Sequence, residues 1–156
     1  MPAPATDNPG VVAIPPFIAL AVLAVGLAGH AEWPLRFVPA PGFKWVGAVS
    51  IGAAAVLLTS AVRAMRRART TFDVRKPTTA IVTSGAFRIS RNPMYVSLML
   101  SYLGIAVLVD SLWVLLLALP LAVILQKGVI EREERYLERK FGETYTRYKA
   151  GVRRWL

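Results

Sequence analysis

The sequence predicts an all-α integral membrane bundle of about four transmembrane helices, followed by a C-terminal cytoplasmic amphipathic helix. Three observations support this fold class. Of the 156 residues, 55% are hydrophobic, and they are gathered into long charge-free runs. Each run approaches the roughly 20 residues that cross a bilayer core. Basic residues collect in two of the remaining segments, and the second of these has the periodicity of an amphipathic helix.

The N-terminal half contains two predicted spans. Residues 1–10 are rich in Pro and Ala and are predicted to form a disordered tail. Span one is predicted over 11–29, with Pro15 and Pro16 near its start, where missing amide donors cost least. A signal peptide would carry a positive n-region, which this tail lacks. Span two is predicted over 43–62, and its Gly and Ala residues suit close helix packing.

The distribution of the net charge of +10 indicates which loops face the cytoplasm. Eight Lys and Arg residues fall within 63–91 and nine from Lys127 onward, whereas 30–42 contains only Arg36. The positive-inside rule therefore places both termini and 63–91 in the cytoplasm, with the protein in a bacterial inner membrane. Attraction to anionic headgroups explains this charge more simply than nucleic acid does, so no nucleic-acid partner is expected.

The second half contains two shorter apolar runs, predicted as spans over 94–109 and 111–126. Their separation by Asp110 predicts a tight helical hairpin. The chain has no cysteine and one histidine, His30, so thiolate chemistry is excluded and a zinc site is not expected. Spans one and two contain no interior ionisable residue. A proton-coupled transporter would place carboxylates there, so a transporter is a weak alternative.

Two patches carry residues that packing alone does not explain. Asn92 is suited to be the N-cap of span three and Pro93 to its first turn, but this leaves Tyr95 without a role. The helix predicted over 127–148, with a break near Gly142, has an apolar stripe on which Glu133 and Glu134 also fall. These carboxylates belong either to a solvated helix with i,i+4 ion pairs or to a site for a hydroxyl, an amine or a cation.

Together the two patches resemble motif blocks of the isoprenylcysteine carboxyl methyltransferase and phospholipid N-methyltransferase superfamily. The resemblance covers residues 78–155. The first block is Thr79-Ala80-Ile81-Val82-Thr83-Ser84-Gly85-Ala86-Phe87 followed by Arg91-Asn92-Pro93-Met94-Tyr95. The second block is Glu133-Glu134-x-x-Leu137-x-x-x-Phe141-Gly142-x-x-Tyr145-x-x-Tyr148.

The resemblance implies a single membrane methyltransferase domain over 11–156, with S-adenosyl-L-methionine as cofactor and a membrane lipid as substrate. Segments 78–95 and 127–156 would bind the cofactor. Glu134 would be the catalytic base, and Arg88 and Arg91 would bind a phosphate. The implied cofactor-binding residues are Thr79, Ala80, Ile81, Val82, Phe87, Asn92, Pro93, Met94, Tyr95 and Glu133. Methyl transfer from a sulfonium requires alignment and water exclusion rather than a metal or a protein nucleophile.

Three departures from the isoprenylcysteine branch bear on the acceptor. Asn92 and Phe87 stand where that branch has His and Tyr, and Val129 stands where it has an Arg for the substrate carboxylate. The run Asn92 to Tyr95 matches the phospholipid branch. We therefore expect a phospholipid amine as acceptor. The alternatives are an isoprenylcysteine-type carboxyl or small-molecule methyltransferase, and a non-enzymatic membrane transporter or scaffold.

Overall fold

The computed structural model describes residues 14–71 and 77–156, and every regular element within them is helical. The helices are α1 (Pro15–Glu32), α2 (Lys44–Arg67), α3 (Pro93–Val109), α4 (Leu112–Leu125), α5 (Glu131–Phe141) and α6 (Glu143–Gly151). Single 3-10 turns cover Pro41–Phe43 and Gly85–Arg88, and a π-helical segment, Gln126–Ile130, joins α4 to α5. The predicted all-α class is confirmed. The predicted disordered tail, 1–10, and the first residues of predicted span one lie outside the described residues.

Three helices in the described part of the chain are long and apolar enough to cross a membrane. They are α1, α2 and the continuous helix Leu112–Phe141. The apolar helix α3 is shorter, with 17 residues, or about 26 Å at 1.5 Å per residue. The predicted count of four spans therefore stays a prediction.

The ends of the first two helices follow from local chemistry. Ile14 is extended (φ −71°, ψ 121°), because the residue before a proline is pushed away from helical dihedral angles. Helix α2 continues past the predicted end at 62 as far as Arg67. Ala, Arg and Met are good helix formers, and cations in the last turn interact favourably with the helix dipole. Arg69, with φ 52°, follows this end.

The span predicted over 111–126 and the amphipathic helix predicted from 127 are continuous with each other. They form one helix, Leu112–Phe141. No proline lies between 126 and 141, and the one glycine there, Gly128, is accommodated in the π-helical segment. The predicted break at Gly142 is present, since this residue has φ 51° and ψ −126° and separates α5 from α6.

Helix α3 is central in the bundle because it packs against both α2 and α4, while α1 packs mainly on α4. The α2–α3 crossing depends on two glycines. A Cβ added to Gly47 would lie 2.6 Å from the Gly104 carbonyl oxygen, and one added to Gly104 would lie 2.8 Å from the Gly47 carbonyl oxygen. The expected packing role of small residues in span two thus applies to Gly47. By contrast, a Cβ on Gly52 would meet nothing within 4 Å.

The end of the bundle that carries the hairpin turn is joined to the α1–α2 connection by Asp110. Its Oδ1 accepts hydrogen bonds from the backbone N–H groups of Phe37 (2.9 Å) and Val38 (2.7 Å). The bonds from Val38 and Phe37 hold the pKa of Asp110 below its usual value. Trp113 Nε1 also donates to the Trp33 carbonyl oxygen at 2.8 Å. The described parts of the basic segments, 63–91 and the residues from Lys127 onward, lie toward the opposite end of the bundle.

Candidate functional site

A cavity of about 490 Å³ opens at the basic end of the bundle. Its apolar part is formed by the start of α1 and by Leu58, Met65 and Leu98 from α2 and α3. The other part, which contains most of the polar groups, is formed by Thr78 and residues 80–82, by the start of α3 and by residues of α5 and α6. A volume of this size is within the usual range for small-molecule sites.

Tyr95 and Glu133 meet at the wall of this cavity. The Tyr95 hydroxyl donates to Glu133 Oε2 at 2.9 Å, although the two residues are 38 positions apart. Both residues line the cavity. No basic side chain in the described part of the chain forms an ion pair with Glu133. An ionised carboxylate that faces a mainly apolar space costs free energy unless a cation lies nearby, and a bound ligand could supply that cation.

The π-helical segment, Gln126–Ile130, determines which face of α5 meets the cavity. One additional residue in a helical turn rotates the following residues by about 100° relative to an uninterrupted α-helix. Within this segment Val129 and Ile130 are buried in the bundle core, and one turn later Glu134 is also buried, with a relative exposure of 4%. Because residues four apart lie on the same face of an α-helix, Glu133 and Glu134 follow Val129 and Ile130 along one stripe.

Glu134 is held by two guanidinium groups. Arg154 donates to it through Nε (3.2 Å to Oε1) and Nη2 (2.7 Å to Oε2), and Arg91 Nη2 lies 3.1 Å from Oε1. The hydrogen bond to Glu134 raises the pKa of Arg154. Burial of a carboxylate requires such pairing. Both carboxylate oxygens of Glu134 are therefore in contact with guanidinium groups.

The C-terminal residues close the basic end by binding to the start of α3. The Arg91 backbone N–H donates to the Arg153 carbonyl oxygen at 2.9 Å, and Ser90 Oγ donates to the Arg154 carbonyl oxygen at 3.2 Å. Trp155 Nε1 donates to Gln126 Oε1 at 3.0 Å. These bonds place the C-terminal residues 153–155, to which the sequence analysis assigned no individual roles, next to both motif blocks.

Asn92 does not have the capping role that its position suggested. It precedes α3, but its side chain makes no cap hydrogen bond. Its Nδ2 instead donates to the Arg154 carbonyl oxygen at 3.0 Å, and its backbone N–H donates to Ser90 Oγ at 3.0 Å. The capping prediction was wrong because the returning C-terminal segment offers this side chain a buried acceptor.

The structure brings most of the predicted site residues together. The cavity is lined by Ala80, Ile81, Val82, Phe87, Arg91, Asn92, Pro93, Met94, Tyr95, Glu133 and Glu134. Thr79 and Arg88 do not line it, and both are exposed. The Thr79 hydroxyl donates to the Arg69 carbonyl oxygen at 3.0 Å. Val129, expected to mark the acceptor by lacking a charge, packs in the core and does not line the cavity.

Several residues that line or support the site were not assigned to it from the sequence. Tyr136, Tyr145 and Tyr148 line the cavity, and Arg154 holds Glu134. Tyr145 and Tyr148 are part of the second motif block, which was a usable signal, whereas Arg154 had none beyond its charge. Burial raises the pKa of Tyr148 to about 12, with Arg91 opposing, and burial followed by Glu134 raises the pKa of Tyr145. Both phenols are therefore neutral hydrogen-bond donors at physiological pH.

Tyr148 also connects the cavity wall to the preceding turn. Its hydroxyl donates to the Phe87 carbonyl oxygen at 2.8 Å. Within the described residues there is no group of three His, Cys, Asp or Glu side chains that could hold a metal ion. The site therefore consists of one carboxylate with a phenol partner, a buried ion-pair cluster and aromatic walls.

Comparison with known proteins gives two matches. The family described as phospholipid methyltransferase matches residues 43–144. A Haemophilus influenzae protein described as uncharacterized is 41% identical over 63 residues, which is 40% of this chain and 100% of that protein. No solved structure matches the chain significantly. The family match includes the start of α3 and all of α5, and thus both Tyr95 and Glu133.

Proposed function

Because the chain belongs to the phospholipid methyltransferase family of membrane enzymes, we propose that it transfers a methyl group from S-adenosyl-L-methionine to a phospholipid amine. Its apolar helices make it an integral membrane protein. The proposed site is the cavity at the basic end of the bundle, on the cytoplasmic side. The proposed substrate belongs to the phosphatidylethanolamine class.

The observation that carries this proposal is the Tyr95–Glu133 pair. Glu133 presents its carboxyl group to a largely apolar cavity, with a phenol as its hydrogen-bond partner and no ion-pair partner in the described part of the chain. A sulfonium cofactor and an ammonium acceptor are both cations that would meet there. The unpaired carboxylate therefore fits the charge of this cofactor. Segment 80–82, Phe87 and residues 92–95 would form the rest of its binding surface.

The cofactor would supply an electrophilic methyl group and a neutral thioether leaving group. The protein has to hold the acceptor nitrogen in line with that methyl group and keep water out. The aromatic rings of Phe87, Tyr145 and Tyr148 contribute to the second task by lining the cavity. The Glu133 carboxylate is the better placed group to accept the ammonium proton, because both oxygens of Glu134 are occupied by Arg91 and Arg154. We assign Glu134 the role of holding those arginines.

A lipid could reach the cavity from the side. Helix α1 packs mainly on α4, and α2 packs on α3, so α1 and α2 have little contact with each other in the described structure. The apolar part of the cavity lies between them, with Pro16 on one side, Leu58 on the other and Leu98 of α3 behind. Acyl chains in the bilayer could therefore extend from this gap while the amine reaches Glu133.

The test is methyl transfer by the purified protein in vesicles that contain phosphatidylethanolamine. Methyl-labelled S-adenosyl-L-methionine should transfer its label to the extracted lipid. Glu133→Gln keeps the side-chain shape but removes the charge, and it should reduce transfer roughly tenfold to hundredfold. Glu143→Gln is the control, because Glu143 is exposed at the start of α6.

A farnesylcysteine analogue is the competing acceptor in the same assay. Its labelling without labelling of the aminophospholipid would overturn the proposed acceptor class. Label in neither compound would overturn methyl transfer to lipids and favour a transporter or scaffold.

A further inference from the structure

A second concave surface lies on the outer side of α2. It is a groove of about 520 Å³ between this helix and the turn at Ser84 and Gly85. Leu58 and Met65 of α2 face the cavity described above, whereas Val56, Arg63 and Arg67 line this groove. The groove and the cavity therefore use different faces of the same helix.

Arg63 and Arg67 supply an uncompensated positive charge to the groove. They are separated by one helical turn, both are exposed, and neither has a hydrogen-bond or ion-pair partner within the described residues. Like charges at i and i+4 destabilise a helix when no anion lies between them. The exposed Ser84 places a hydroxyl group on the facing wall. Two guanidinium groups and a hydroxyl group can donate hydrogen bonds to the oxygen atoms of a phosphate group.

The same face of α2 becomes apolar further along the helix. Val49, Val56 and Arg63 are spaced by seven residues and therefore lie on one stripe. Val49 and Val56 are 59% and 72% exposed. The two valines lie within the apolar part of a helix suited to crossing a bilayer, and Arg63 lies about 10 Å further along its axis than Val56. The stripe thus presents exposed apolar surface followed by positively charged surface.

We propose that this groove binds the phosphate group of an anionic phospholipid from the surrounding leaflet, at a site separate from the methyl-transfer cavity. A lipid is favoured over a soluble anion because the charged part of the stripe continues directly into exposed apolar surface. Basic pockets beside transmembrane helices recognise lipid headgroups by this combination of charge and depth. Lipid binding in this groove is independent of the proposed methyl transfer in the cavity.

The test is lipid retention by the full chain in neutral detergent, measured by native mass spectrometry. Phosphatidylglycerol and phosphatidylcholine with identical acyl chains are titrated separately. The wild type should retain one phosphatidylglycerol more tightly than phosphatidylcholine. The double variant Arg63→Gln/Arg67→Gln should lose roughly thirtyfold in phosphatidylglycerol affinity, from about one kcal/mol per arginine. The single variant Arg67→Gln should lose part of this affinity, and circular dichroism checks that both variants are folded.

The matched control is Arg135→Gln/Arg139→Gln, which removes the same charge from another exposed i,i+4 pair, on α5. It should leave phosphatidylglycerol retention unchanged. An equal loss in this control would show general electrostatic attraction and overturn the proposal. Equal retention of the two lipids by the wild type would also overturn it. Displacement of the lipid by soluble glycerophosphoglycerol at similar concentration would identify a soluble-anion site instead.

Discussion

Arg154 Nη2 lies 2.7 Å from Glu134 Oε2 and thereby ties the C-terminal residues to α5. The carbonyl oxygen of the same arginine accepts hydrogen bonds from Ser90 and Asn92 beside α3. Arg154 is therefore a bridge between the two motif blocks, using its side chain for one and its backbone for the other. The Glu134 side chain is only 5% exposed, so this charge depends on its partners.

The first prediction is that Arg154→Gln destabilises the protein. Glu134 would keep Arg91 but lose its two bonds to Arg154, which should cost about 1–3 kcal/mol of unfolding free energy. The thermal midpoint should fall by several degrees. Tryptophan fluorescence is a suitable probe, since Trp155 is adjacent and the chain has no cysteine for thiol-reactive dyes. Arg153→Gln, at an exposed side chain, should leave the midpoint unchanged. Equal midpoints for all three proteins would show that the Arg154 pair contributes no stability.

The second prediction separates cofactor binding from a purely structural role of Glu133. Glu133→Gln should weaken S-adenosyl-L-methionine binding roughly tenfold to hundredfold, because a charge-assisted contact is lost. Tyr95→Phe removes the phenol donor and should have a smaller effect in the same direction. Stability should stay the same or rise in Glu133→Gln, because a half-buried carboxyl group without an ion-pair partner is replaced by a neutral amide.

Calorimetric titration of the purified proteins with S-adenosyl-L-methionine measures the cofactor affinity of each variant, with Glu143→Gln as control. Identical affinities in all variants would remove Glu133 from the cofactor site. Absence of binding in the wild type would count against the cofactor itself.

The third prediction uses two glycines of the same helix. Gly47→Ala would place a Cβ 2.6 Å from the Gly104 carbonyl oxygen, so α2 and α3 must separate, at a cost of about 1–3 kcal/mol. Gly52→Ala meets nothing within 4 Å and should stabilise the helix by about 0.5–1 kcal/mol. Thermal midpoints should therefore move in opposite directions. A shift of the same sign in both variants would contradict the Gly47–Gly104 packing.

The fourth prediction concerns topology. The connection containing residue 40 is joined to the Asp110 turn at one end of the bundle, while the C-terminal residues contact the start of α3 at the other end. The basic residues are concentrated at the second end, so it should be cytoplasmic. Reporter fusions at residue 40 and at the C-terminus should give opposite locations. Two reporters on the same side of the membrane would exclude this arrangement.

Local chemistry and residue pattern were enough to predict much of this protein. The apolar runs predicted the helical membrane class, Gly142 marked a helix boundary, and the two motif blocks indicated that Tyr95 and Glu133 belong to one site. The family assignment was also accessible from those blocks. Each of these features depends on residues that are close together in the sequence or on a pattern shared with relatives.

The tertiary structure decided which partners the polar groups have. Val129, within the π-helical segment Gln126–Ile130, entered the core, while Glu133, one turn later on α5, reached the cavity. The Asn92 side chain donates to the Arg154 carbonyl oxygen instead of capping α3, and Glu134 forms ion pairs with Arg91 and Arg154. These contacts join segments far apart in the sequence and depend on helix rotation and on the return of the C-terminus. Local propensity contains no information on the rotation of a helix or on the position of the C-terminus, because both are determined by how the whole bundle packs.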